Sequence, residues 1–305
     1  MLQIATAVAV IVVVGIVAAL TRKPKVFLNK ERQKLTLAAK TALSHDTFRF
    51  RFALPDPKMV MGLPVGKHFK VFAPNAKGVV PGQWNGRDDM EGSQEEISRS
   101  YTPTSSDDDR GYVELVVKNY ERGVVERFPD GGKMSQYLSA LNVGDQIAIQ
   151  GPTGSIEYKG KGLFQHMRKE LRTKHIGMMA GGTGITPMLQ IIAAVLKEPK
   201  ASAPTLSLIF ANQTEADILV RAELEALAAA NPDRFRLHYT LDRPPTDGSW
   251  KGSTGFIDQP MISERLPAPG ADTLMLMCGP PPMIKFACKA NLDALGYAKE
   301  RQLAF

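Results

Sequence analysis

Cysteine is nearly absent from this chain: Cys278 and Cys288 are the only two among 305 residues. Two thiols cannot build a disulfide framework, and with five histidines at no metal-ligand spacing they cannot supply a four-ligand zinc site. No metal is expected, and such sparse cysteine fits a reducing compartment. Internal repeats are lacking, and so is any recognition-helix or aromatic RNA-binding signature. The net charge of +7 is therefore not read as nucleic-acid binding. Lysine and arginine are spread along the chain, which fits either a solvated basic surface or a docking face for an acidic protein. With 44% apolar and 23% charged residues the chain is not of the disordered class. Its length exceeds what one core usually holds, so two domains are expected.

One long hydrophobic run stands apart. Ile4 to Leu20 carries no charge and, at about 1.5 Å rise per residue, is long enough as a helix to span a bilayer core. Arg22, Lys23, Lys25, Lys30 and Arg32 follow at once, which puts the rest of the chain on the cytoplasmic side. A signal peptide cleaved after Val17-Ala18-Ala19 is the competing reading. No basic segment precedes the run, however, and the basic cluster lies on the wrong side of it. A transmembrane anchor over 1–21 and a linker over 22–33 are expected.

From Gln33 to about Ser155 short alternating segments predict strands, among them Thr47 to Phe52, Lys67 to Phe72 and Gly111 to Tyr120. One helix is expected to begin near Lys133. Such a pattern predicts an antiparallel β-barrel. Pro74 to Glu96, rich in Gly, Pro, Asn and Asp, reads as a long loop. Beyond Lys174 strands alternate with helices, ending in a strand at Thr273 to Cys278 and a helix over Pro282 to Leu295. That rhythm predicts an α/β, doubly wound parallel sheet. The boundary is set in the charged, Gly-rich stretch from Tyr158 to Arg172, giving domains at 34–165 and 166–305.

Three motifs carry chemistry. Gly181-Gly182-Thr183-Gly184-Ile185-Thr186-Pro187 follows a strand and opens a helix, so its backbone can approach a pyrophosphate at a helix N-terminus. The plainer reading is a glycine turn needed for tight strand–helix packing. Gly131-Gly132-Lys133-Met134-Ser135 offers a second anion cradle, or a plain helix start. Two such cradles in two domains imply two nucleotides, or one cofactor in each domain. In Arg99-Ser100-Tyr101-Thr102-Pro103, alternation puts Arg99, Tyr101 and Pro103 on one face, where arginine can fork onto phosphate and tyrosine can pack on a flat ring.

With these residues in view, the chain resembles the NADH–cytochrome b5 reductases, within the ferredoxin reductase-like flavoproteins. The likeness runs from about Leu35 to the C-terminus. It rests on 99–103, Val117-Lys118-Asn119-Tyr120, Gly132 to Ser135, Gly181 to Met188, Phe210 to Glu215, Tyr239 to Arg243 and Cys278-Gly279-Pro280-Pro281-Pro282-Met283. The resemblance implies an antiparallel β-barrel FAD-binding domain followed by a doubly wound NAD-binding domain. It further implies a hydride taken from NADH by FAD, and single electrons passed to cytochrome b5 or a similar acidic haem protein.

It also implies roles. Arg99, Ser135 and the backbone of Gly132, Lys133 and Met134 hold the FAD pyrophosphate. Tyr101, Thr102 and Pro103 lie along the flavin, Thr102 near N5, while Val117, Lys118 and Tyr120 line the same cleft. Thr186 lies against the ring. Gly181, Gly182, Thr183 and Gly184 face the NADH pyrophosphate, and Cys278, Gly279 and Pro280 the nicotinamide. Thr102, Lys118 and Cys278 stand nearest the chemistry, Cys278 as a positioning group and not a nucleophile. Asp242, ending a strand, accepts from the adenosine ribose and repels a 2′-phosphate. His68 is either near the flavin edge or structural. Cys288 is core, and Phe305 is not assigned to the flavin.

Two departures from the family pattern are Ser100, where many members have proline, and a longer loop from Asn75 to Glu96. The resemblance places the anchor in the endoplasmic reticulum or outer mitochondrial membrane, with a monomeric catalytic part. The alternatives are reduction of a quinone or another redox partner, a module like the flavin end of nitrate reductase (Gly62-Leu63-Pro64-Val65-Gly66-Lys67-His68), and a non-catalytic membrane scaffold.

Overall fold

The computed structural model describes residues 24–126 and 128–305. The anchor expected over 1–21 lies outside the described residues, as do Arg22 and Lys23. No helix among the described residues is long and apolar enough to cross a membrane. Within the stretch read as a linker, Phe27 and Leu28 are buried in the first core, and their N–H groups donate to Val60 and Met61.

Alternating apolar residues form the first sheet, from β1 (Gln33–Ala42), β2 (Thr47–Ala53) and β3 (His68–Pro74). A two-stranded ribbon of β4 (Gln83–Trp84) and β5 (Arg87–Asp88) sits in the long loop. After it come β6 (Glu96–Tyr101), β7 (Tyr112–Lys118), helix α1 (Lys133–Ala140) and β8 (Gln146–Thr153). The sheet is six-stranded and antiparallel, in the order β6-β3-β8-β1-β2-β7. Inward residues such as Phe50, Phe52, Phe69, Leu115 and Ile147 fill its core, and Met134 and Leu138 of α1 pack onto it. The expected barrel is barrel-like, but its two edge strands, β6 and β7, do not pair as a ladder. Two bonds tie the seam just beyond β6, from the Thr104 N–H to the Glu114 carbonyl at 3.0 Å and from the Glu114 N–H to Ser105 Oγ at 2.9 Å.

The stretch read as a domain boundary is itself folded, as the small antiparallel sheet β9 (Ile156–Gly160), β10 (Leu163–His166) and β11 (Lys169–Arg172). Its charged faces hide two inward aromatics, Tyr158 and Phe164, which join the core of the second domain.

That domain is a parallel sheet built from β12 (His175–Gly181), β13 (Thr205–Asn212), β14 (Phe235–Leu241), β15 (Ser253–Thr254), β16 (Thr273–Cys278) and β17 (Gln302–Ala304). Its order is β15-β14-β13-β12-β16-β17. Helices α2 (Ile185–Leu196) and α3 (Arg221–Ala230) cover one face. Helices α4 (Gln259–Arg265) and α5 (Ala290–Ala294) cover the other. The helix expected over Pro282 to Leu295 is wound as a π-helix from Met283 to Lys289 before α5 begins. The sheet is buried on both faces, so its strands read as continuous apolar runs such as Leu274 to Met277.

Candidate functional site

The seam between β6 and β7 gathers the first set of motif residues. Arg99 and Tyr101 lie on β6, Val117 and Lys118 on β7, and Tyr120 just beyond it. Val117 is buried in the core, so only its backbone faces outward. Tyr101 packs against the same core, and burial raises its phenol well above its ordinary range.

Helix α1 opens at Gly132, and no side chain caps it. A Cβ on Gly131 would meet the Tyr120 carbonyl at 2.3 Å, and one on Gly132 would meet Ser135 Oγ at 2.5 Å. Glycine is thus required for the chain to enter the helix here, and the first N–H groups of α1 remain for an anion. The Ser135 hydroxyl accepts from the Tyr120 N–H at 3.1 Å and donates to the Gly132 carbonyl at 3.2 Å, so it fastens the turn.

Three charged candidates, Lys133, Arg99 and Lys118, are more committed than their sequence positions imply. The Lys133 ammonium, 3% exposed as a side chain, donates to Asp89 and Asn75 of the long loop. The Arg99 guanidinium forks onto Glu91, whose carboxyl it holds below the usual range. Lys118 donates to Asp46 at 2.9 Å and to Asp217 of the second domain at 2.5 Å. Burial opposes its charge, yet these two bonds prevail and raise its pKa. The ammonium is held in its charged form between the two carboxylates.

The second domain brings its motifs to the same place. The turn Gly182–Gly184 follows β12 and lies against β7. Its glycines divide the two readings of the motif. Gly182 has φ +52° and open space around its Cα, whereas a Cβ on Gly184 would meet the Cys278 carbonyl at 2.2 Å. Gly182 gives the turn its shape, and Gly184 lets β16 approach. A Cβ on Gly181 would meet Met283 Sδ at 2.5 Å, so the Gly181–Gly184 and Cys278–Pro280 segments form one surface. The Thr186 hydroxyl donates back to the Thr183 carbonyl at 3.2 Å. Burial pushes the Cys278 thiol up to about 11, which makes it unfit as a thiolate nucleophile near neutral pH. Asp242 is exposed at the end of β14, two strands from β12.

Two residues stand elsewhere. His68 packs its ring against Gly154, and burial together with Lys67 and Lys70 lowers its pKa, which keeps it neutral. Cys288 is wholly buried in the second core.

Sequence reasoning missed Asp217, Glu91 and Asp89, and gave Asn212, within the Phe210 to Glu215 motif, no role. Thr214 and Asp217 form a capping box, and that spacing was the available signal for Asp217. Asn212, at the carboxyl end of β13, buries both amide atoms with no hydrogen-bond partner. No group of His, Cys, Asp and Glu among the described residues has metal-site geometry.

An uncapped, glycine-dependent helix start and an arginine at an open seam form a donor set that fits a flavin dinucleotide. The carboxyl ends of a doubly wound sheet fit a pyridine nucleotide. Residues 34–158 match the family described as oxidoreductase FAD-binding domain, and residues 178–289 the oxidoreductase NAD-binding domain. This architecture is that of a two-domain, FAD- and NAD-dependent oxidoreductase.

The chain is 50% identical over 277 residues to NADH-cytochrome b5 reductase 2 of Gallus gallus, covering 89% of this chain and 84% of that protein. It is 48% identical over 293 residues to NADH-cytochrome b5 reductase 1 of Rattus norvegicus, covering 93% and 90%. Among solved structures, the cytochrome b5 reductase domain of Ulva prolifera nitrate reductase superposes with a TM-score of 0.82 at 41% identity. That match covers 93% of this chain and all of the other. The chain belongs to the NADH-cytochrome b5 reductase family.

Proposed function

We propose that the protein transfers a hydride from NADH to bound FAD and hands single electrons to cytochrome b5. The observation that carries this reading is the likeness, across both domains at once, to proteins named NADH-cytochrome b5 reductase. Bound FAD supplies the exchange between a two-electron donor and a one-electron acceptor.

The chain's own residues bind and orient. The N–H groups at the start of α1, with Arg99, hold the flavin diphosphate, and Ser135 keeps the Tyr120–Gly132 turn in shape. Tyr101, Thr102 and Pro103 form one wall of the flavin cleft, and Val117, Lys118 and Tyr120 the other. Thr186 closes the nucleotide side. The Gly181–Gly184 turn takes the NADH diphosphate, and Cys278, Gly279 and Pro280 seat the nicotinamide. Asp242 receives the adenosine ribose. The Lys118–Asp217 bond holds both halves of the cleft in register, which supports alignment of donor and acceptor.

Further parts of this reading are the membrane anchor over 1–21, with the catalytic domains cytoplasmic on the endoplasmic reticulum or outer mitochondrial membrane, and a monomeric catalytic part. The uncharged run Ile4 to Leu20 and the basic residues after it support the anchor.

The decisive experiment mixes the full chain, held in detergent, with NADH and oxidised cytochrome b5 and follows haem reduction. Rapid reduction is expected. Bleaching of the flavin with the haem left oxidised would keep the reductase chemistry and remove the acceptor.

A further inference from the structure

The loop 75–96 is fastened to the flavin side of the first domain at four places. Asp130 accepts from the N–H groups of Val79 at 2.7 Å and Asn85 at 2.6 Å, and its own N–H donates to the Asn85 side chain at 2.7 Å. Trp84 Nε1 and Asn85 Nδ2 both donate to the Gly131 carbonyl at 3.0 Å, on the turn that opens α1. Lys133 spends its three hydrogens on Asn75 Oδ1 (2.9 Å) and on Asp89 Oδ1 (2.8 Å) and Oδ2 (2.7 Å).

The fourth attachment is Arg99. Its Nη1 donates to Glu91 Oε1 at 2.7 Å and to the Ser98 carbonyl at 2.8 Å, and its Nη2 donates to Glu91 Oε2 at 2.6 Å. A guanidinium has five N–H donors arranged as two forks, one end-on and one side-on. Glu91 takes the end-on fork. The Nε–H and the second Nη2–H, which make up the side-on fork, have no partner among the described residues. That fork is spaced for two oxygens of a phosphate.

Glu91 could instead be a stand-in that leaves when a phosphate arrives, but its surroundings argue against this. Asp89, only two residues away, is locked onto a buried ammonium. Withdrawing the loop would strand Lys133 without its counter-charge, a heavier loss than one part-exposed ion pair returns. The backbone at 91 is held as well: its N–H donates to Asp89 Oδ1 at 3.1 Å and its carbonyl accepts from Asn75 Nδ2 at 2.6 Å. The Lys133 ammonium lies 3.8 Å from Glu91 Oε2, so the carboxylate stays beside the guanidinium. An arginine free on the surface must surrender its rotamers when it binds an anion. Here folding has already fixed them.

We propose that Glu91 is a positioning residue of the flavin site: it grips Arg99 end-on and so presents the side-on edge of the guanidinium to the diphosphate of FAD. The role rests on the FAD reading above.

The test uses full-chain apoprotein and follows FAD binding by flavin fluorescence in the wild type, E91Q, R99A and the double variant. Glu91→Gln is expected to weaken FAD binding roughly tenfold, the loss typical of one mispositioned charged hydrogen bond. The same substitution in the Arg99→Ala background is expected to add nothing, because Glu91 acts only through Arg99. A purely structural loop residue would weaken both backgrounds equally, so additive losses would overturn the proposal. Binding by E91Q as tight as or tighter than the wild type would overturn it too. Should E91Q fail to fold, E91D keeps the charge but draws the carboxylate back by one methylene, and is expected to bind FAD more weakly than the wild type. Equal binding there is equally fatal. If the wild-type apoprotein takes up no FAD, the flavin reading itself fails, and the two failures are distinct.

Discussion

Lys118, the last residue of β7, and Asp217, in the turn after β13, meet across the two domains at 2.5 Å, with Asp46 closing the cluster 2.9 Å from the same ammonium. Burial alone would raise the Asp217 carboxyl, but Lys118 and Thr214 hold it below its ordinary 3.8. A depressed carboxylate contributes stability above its unfolded pKa and loses it as pH falls through the folded value. A raised ammonium contributes below its unfolded 10.5 and loses it as pH rises through the folded value. The pair should therefore stabilise the protein fully between about pH 4 and pH 10. Lys118→Met is expected to cost about 1–3 kcal/mol in that window and little outside it, because it leaves two half-buried carboxylates unpaired. Thermal melts across pH check this.

The two readings of the glycine turn separate by substitution. Gly184→Ala drives a Cβ into the Cys278 carbonyl, a backbone atom that cannot move aside. It is expected to destabilise by about 2–3 kcal/mol. Gly182→Ala meets nothing but sits at φ +52°, and should cost only about 1 kcal/mol. Calorimetry of the two variants should rank them in this order.

Cys278 should behave as an inert thiol. With its pKa lifted from 9.0 to about 11, it holds about a hundredfold less thiolate than an ordinary cysteine at neutral pH. Cys288 is pushed up to about 12 and is buried. Iodoacetamide at pH 7.5 is expected to leave both unmodified in the folded protein and to label both after denaturation, read by mass spectrometry.

Asp242→Ala should narrow the preference for NADH over NADPH by about tenfold or more, since it removes a carboxylate that a 2′-phosphate would meet. The ratio of kcat/KM for the two nucleotides measures it. An unchanged ratio would move the specificity to another residue.

Asn212→Leu is expected to raise the melting temperature of the nucleotide-free protein. It replaces a buried amide with two unpartnered atoms by an apolar group of similar size, and an orphaned buried polar group costs about 1–3 kcal/mol. A lowered melting temperature would mean that the amide is satisfied.

What could be read from the residues follows the range of the interactions. Thr47 to Phe52 declares its strand because alternation is local, and Thr273 to Cys278 because a strand buried on both faces is apolar throughout. The α1 and α2 starts were visible through their glycines. The sheet at 156–172 was not, because its strands are short, charged outside and held by only a few inward side chains such as Phe164. Glu91, Asp89 and Asp217 escaped notice because a carboxylate acquires its meaning from its partner. Lys133 finds Asp89 from 44 positions away, and Lys118 finds Asp217 from 99. The Gly131–Ser135 stretch was legible as an anion cradle, but not that the Lys133 ammonium within it is already held by Asp89.

The unzipped seam between β6 and β7 has a bearing on how the protein fares in a cell. Unpaired strand edges invite pairing with other chains, and natural proteins cover them. In the proposed arrangement FAD would lie along both edges and serve as their cover, so flavin supply would also bear on protein quality control. Without flavin, newly made chains would leave the open part of this seam uncovered and would lack the stabilisation that a bound ligand gives the folded state.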